Sequence, residues 1–226
     1  MAVIQSGTSG TTLMTVDPTF ASGRTSIRPP EILGSYQMGL VSGALTGAAA
    51  GSTVFSFRWA PATSTNLCLI RRIEIGFATV TAFTTAQALS YSMQVARQWT
   101  ASDTGGTAAA FTQTNTAKLR TVMPTSGFAT GGQIMIANTG ANTAGTRTLD
   151  TQAMGFTTGS STAVGTSLSP QAVFQQQTGD YPLIFAANEG FIVNNVITMG
   201  AAGVINLYVN VEWFELAATS GAAINY

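Results

Sequence analysis

The chain has 226 residues, of which only 8% are charged, and it contains no histidine. An average soluble domain has about a quarter of its residues charged, so the groups that acid–base, metal and phosphate chemistry need are scarce, and no enzymatic activity, cofactor or metal is expected. Eight arginines and the lone Lys118 balance nine acids, which excludes the clustered basic face that nucleic acid requires and favours association with other protein.

A chain of this length can bury its own core as one all-β domain. Its single cysteine, Cys68, excludes an internal disulfide. The opening MAVIQSGTSG lacks a charged n-region and a long apolar stretch, so synthesis and assembly in the cytoplasm are expected. Residues 1–32 are rich in Thr, Ser and Gly and end in Arg28-Pro29-Pro30-Glu31. Diproline favours extended backbone. The segment reads as an N-terminal arm lying across neighbouring subunits, with Arg24, Arg28, Pro29 and Pro30 as candidate interface residues. Residues 33–216 read as a β-sandwich domain and 217–226 as a C-terminal tail.

No charge occurs from Ile32 through Phe57, and Gly39, Gly43, Gly47 and Gly51 recur at every fourth position. That spacing occurs in membrane helix dimers. Here, however, Leu, Ile and Val are few, and the nearest basic residues are the single Arg28 and Arg58. It reads as a Gly/Ala-rich loop between two strands, and no membrane partner is expected. Strands are expected at Ser35 to Val41 and around Phe55, Phe57 and Trp59. In the next, Leu69, Arg71, Ile73, Ile75 and Phe77 share one face, with Ile70, Arg72, Glu74 and Gly76 opposite. From Leu89 to Trp99 the odd positions are Leu, Tyr, Met, Val, Arg and Trp, and the even ones are Ser, Gln or Ala. This is the period of a half-buried strand.

Gln133 to Ala137 and Thr146 to Leu149 are shorter candidates. Leu183 to Phe185 and Phe191 to Met199 bracket the turn signal Asn188-Glu189-Gly190. Ile205 to Trp213 alternates strictly, so that Leu89, Tyr91, Met93, Val95, Ile205, Leu207, Val209 and Val211 should face one core. Residues 138–170 are almost free of large side chains and are expected to need neighbouring chains to order them. Gln171 to Gln177 could make one helical turn at most. The sum is about eight strands with turn-rich gaps, a jelly-roll-like antiparallel β-sandwich.

Asp103-Thr104-Gly105 spells the aspartic-protease triplet, but it follows a strand and precedes Gly106, which is ordinary turn chemistry. Cys68 opens an apolar strand and has no histidine to activate it. It reads as a core residue. The arginines are the patterned charges. Arg71 and Arg72 are the remaining candidate interface residues, since a planar guanidinium suits interface pairs. Intramolecular pairing with Glu74, Glu212 or Glu215 is the equal alternative.

The strings Arg-Thr-Ser-Ile-Arg-Pro-Pro-Glu (24–31), Val-Phe-Ser-Phe-Arg-Trp (54–59), Leu-Ile-Arg-Arg-Ile-Glu-Ile-Gly-Phe (69–77), Ser-Asp-Thr-Gly-Gly-Thr (102–107), Ala-Gly-Thr-Arg-Thr-Leu-Asp (144–150), Ala-Asn-Glu-Gly-Phe-Ile-Val (187–193) and Val-Glu-Trp-Phe-Glu (211–215) span nearly the whole chain. Together they resemble uncharacterised structural proteins of tailed bacteriophages. The resemblance implies a virion protein, foremost a head-associated decoration (cement) protein on the capsid exterior. Its partners would be the major capsid protein or neighbouring virion proteins. A small homo-oligomer, foremost a trimer, is expected. No family active site carries over. The alternative is a carbohydrate- or receptor-binding module of a fibre or tail, which should carry exposed aromatics on loops. Trp59, Trp99 and Trp213 all fall in expected strands, which weighs against it.

Overall fold

The computed structural model describes residues 32–113, 115–177 and 181–217. The expected arm, with Arg24, Arg28, Pro29 and Pro30, lies outside the described residues apart from Ile32, and so does the tail beyond Ala217. The described residues form an all-β fold of two antiparallel sheets in a sandwich-like arrangement. In chain order the strands are β1 (Ile32–Val41), β2 (Thr53–Trp59), β3 (Leu67–Thr81), β4 (Gln87–Arg97), β5 (Thr107–Ala108), β6 (Gln133–Ile136), β7 (Thr148–Leu149), β8 (Gly155–Ser161), β9 (Ser167–Gln175), β10 (Leu183–Phe185), β11 (Glu189–Asn195) and β12 (Val204–Leu216). One sheet runs β1-β12-β3-β10, with β9 also paired to β3. The other runs β5-β6-β2-β11-β4-β7, with β8 also paired to β4. The helical content among the described residues is one 3-10 turn, Gly127–Ala129.

Period two produces the core directly. Leu89, Tyr91, Met93 and Val95 of β4 are buried in one cluster with Ile205, Leu207, Val209 and Val211 of β12. Phe55 and Phe57 of β2 and Phe191 of β11 join them. At one end the rings interlock. Phe57 stacks on Phe191 at 4.9 Å, and Phe128 of the 3-10 turn meets Phe57 edge-on at 4.6 Å and Trp213 at 5.5 Å. Offset and edge-on pairs of this kind add to the stabilisation from area burial.

Several expectations are corrected. On β3 the apolar phase changes, because Cys68 and Ile70 lie in the core and so do Ile73, Ile75 and Phe77. The register with β12 shifts between Ile70↔Trp213 and Arg72↔Glu212. The bulge inserts one residue, so Arg71 does not share the face of Ile73. On β4, Gln98 takes a left-handed φ of 51°. The chain turns there, and Trp99 packs with Ala96 and Ile192 on the outer face of the seven-stranded sheet. Trp99 is therefore outside a strand, although it is buried.

Residues 138–170 carry β7, β8 and the start of β9, which pair with β4 and β3 of the same chain. Gln171 to Gln177 lies mostly in β9 rather than in a helical turn. A Cβ on Gly155 would collide with the Val173 carbonyl oxygen, and one on Gly159 would lie 2.9 Å from the Phe77 ring. Small residues there allow close approach, and with them goes the apolar alternation that marks a strand in sequence. The uncharged stretch 42–52 is a loop between β1 and β2, as expected, and Leu45 pins it by a bridge to Ile205.

Candidate functional site

Arg71 and Arg72 sit at the β3 bulge, on the solvent side of the five-stranded sheet. Arg71 pairs with Glu212 at 2.9 Å, and its guanidinium lies 5.8 Å from the Phe214 ring centre. Arg72 pairs with Glu74 at 3.0 Å, and Asn210 Nδ2 donates to the same carboxylate. The two candidate interface arginines are thus tied to acids of their own chain. Such exposed pairs contribute about 0–1 kcal/mol each. They leave this face a self-neutralised polar ladder rather than a basic patch.

A second polar group covers the outer face of the seven-stranded sheet. The segment after β4 folds back over β2 and β11, carrying Trp99 and Asp103. Asp103 is fully buried, and it accepts hydrogen bonds from the Gly145 N–H at 2.7 Å and from the Arg147 guanidinium. Arg147, whose side chain is 4% exposed, lies 4.8 Å from the Trp99 ring centre and donates to Thr53 Oγ1 at 2.8 Å. The chain of bonds continues from Thr53 to Asn194 Oδ1 and from Asn194 Nδ2 to Gln94 Oε1. Arg58 has no carboxylate partner among the described residues. It donates to Ser102 Oγ, to the Trp99 carbonyl and to Asn188 Oδ1, and burial lowers its pKa below the usual arginine range. Asp103 is therefore no exposed turn residue. It is the buried anion that holds two loops onto the sheet.

A third group closes the ring-packed end. Glu215 is buried and accepts from Ser126 Oγ at 2.6 Å, the Gly127 N–H at 2.9 Å and Trp213 Nε1 at 3.1 Å. Burial raises its pKa above the usual carboxylate value, and the hydrogen bonds oppose that rise. Tyr36 and Cys68 face the same carboxyl, and both are pushed up by their own burial and then by its charge. With its thiol fully buried, Cys68 is a core residue. Among the described residues no group of three or more acids or cysteines is placed to hold a metal ion.

At the open edge between β7 and β10 lies a cleft of about 690 Å³, lined by Val95, Leu149, Met154 and Leu183, with Arg97 and Asp150 paired at its rim. Arg97 also reaches Glu189. Large apolar side chains stand out from several parts of the surface: Tyr181 is 93% exposed and Val122 89%, with Val164 and Phe156 at about two thirds. No protein-family model matches the chain, and no curated protein or solved structure matches it significantly.

Asp103, Arg147 and Trp99 had no joint signal in the sequence, because the ion pair joins two loops 44 positions apart, with β5 and β6 between them. Glu215 did have one. It shares the odd phase of Val209, Val211 and Trp213, which places a carboxylate in the core register.

Proposed function

We propose that the chain is a non-enzymatic structural protein of a bacteriophage particle, a decoration (cement) protein on the capsid exterior. It binds and stabilises the head lattice as a trimer or other small homo-oligomer. The observation that carries this reading is the surface. Its apolar side chains stand exposed at Tyr181, Val122, Val164 and Phe156, whereas the surface arginines Arg71, Arg72 and Arg97 are paired with acids of the same chain. Such a surface suits attachment through apolar and hydrogen-bonded area rather than through charge.

The strand order supports a jelly roll. The path β1-β12-β3, with β9 on β3, faces β2-β11-β4, with β8 on β4. This order fits the two interleaved Greek keys of that fold, with β5, β6, β7 and β10 read as edge additions. Viral capsid and lectin domains both use it, so the fold alone does not decide between attachment to a lattice and glycan binding. All three tryptophans are buried, which favours the lattice, while Tyr181, exposed between β9 and β10, is the kind of aromatic that glycan binding would use. The test is electron microscopy of particles assembled with the gene deleted. The expected result is a lost density on the head exterior that returns when purified protein is added. Unchanged heads, or a density missing from the tail, would overturn the reading.

A further inference from the structure

Beneath the Trp99–Asp103–Arg147 layer, buried polar atoms without partners come in matched kinds. Trp99 Nε1, Arg58 Nε and Asn142 Nδ2 are donors, Asp103 Oδ2, Gln133 Oε1 and Asn142 Oδ1 are acceptors, and Ser56 Oγ is both. Ser56 and Asp103 are fully buried, and Trp99 and Asn142 are nearly so.

The register gathers them. Ser56 lies opposite Met135 on one side and Ile192 on the other. Ile192 is covered by Trp99, and a Cβ on Gly106 would lie 2.9 Å from Met135 Cγ. Segment 99–106, with Asp103 at its middle, therefore roofs Ser56. Gln133 stands opposite Arg58 in the β2–β6 pair and donates to the Asp103 carbonyl at 3.0 Å. The side chain of Asn142 lies against Gly106.

We propose that these atoms line a built site for ordered water, holding roughly two molecules at about three hydrogen bonds each. A metal cation would satisfy the acceptors alone and would sit beside the guanidinium groups of Arg58 and Arg147. An anion would satisfy the donors alone and would sit beside the Asp103 carboxylate. Only a ligand that both donates and accepts matches the set, and buried polar groups are otherwise rarely left unpaired. The water molecules join the loop layer to the sheet and complete the shell around the buried ion pair.

Two measurements test this. In crystals grown with calcium and bromide salts, density should stand within hydrogen-bond distance of Asp103 Oδ2 and Ser56 Oγ without anomalous signal. In urea unfolding, Ser56→Ala should lower the folding equilibrium constant about five-fold, the effect of one lost buried hydrogen bond. In a dry site the same change deletes an unsatisfied hydroxyl and leaves stability equal or higher. An anomalous ion peak, an empty site, or a Ser56→Ala variant as stable as the parent would overturn the proposal.

Discussion

Removing the Asp103 carboxylate strands a guanidinium that is almost wholly buried. Breaking a buried pair from one side costs about 3–5 kcal/mol, so Asp103→Ala should lower the urea midpoint strongly. Asp103→Leu combined with Arg147→Met should recover much of that loss, because the double change leaves no buried charge. A midpoint that barely moves in Asp103→Ala would show that the pair is not buried in solution. Glu215 gives a signature in pH. Burial raises its folded-state pKa above the unfolded value, against the pull of its three hydrogen bonds. Between those two values the folded chain binds more protons than the unfolded one, so stability falls as pH rises through the window. Tyr36 and Cys68, the other titratable groups at the site, are pushed upward, away from that range. Glu215→Gln should flatten the slope of stability against pH just above the ordinary carboxylate value. An unchanged slope would place the titration elsewhere.

At the scale of strands, β12 sets the register of one sheet and supplies its core face. Val209→Asp puts an unpaired charge between the sheets at a cost of several kcal/mol and should abolish soluble expression. Asn206→Asp, on the half-exposed opposite face, should fold with a near-parental melting temperature. Equal tolerance would mean that the register is wrong. The strands legible in sequence were those whose two faces differ chemically, β4 and β12 above all. The two-residue β5 escaped, and so did β8 and β9, where Gly155 and Gly159 admit a neighbouring carbonyl and a phenylalanine ring. Gly155→Val should therefore destabilise far more than a substitution on a surface strand, and urea unfolding would measure the difference. The β3 bulge was hidden for another reason. Arg71-Arg72 satisfies either phase on paper, and only pairing with β12 settles where the extra residue goes. The polar layer was the least legible feature, because Trp99, Asp103, Asn142 and Arg147 meet through loops with no period of their own. Ser92 belongs to the same lesson. Its even position marked it as solvent-facing, but it is buried.

At the scale of the whole molecule, the proposed attachment uses the apolar and hydrogen-bonded area of a charge-poor sandwich. Tyr181→Ser and Val122→Ser should leave the fold intact, since both side chains are almost fully exposed. Each should weaken binding to particles if its patch is used, with circular dichroism confirming the unchanged β content. The charges are few and balanced, and Arg71, Arg72, Arg97 and Arg147 are paired with acids of the same chain. Salt screens exposed charge pairs over about 8–10 Å at physiological strength, and there is little such attraction here to lose. The most direct measurement is co-sedimentation of purified protein with particles lacking it, at low and at high ionic strength. Saturable binding that survives high salt is the expected result. Loss of binding at moderate salt, or binding to host polysaccharide with none to particles, would contradict it.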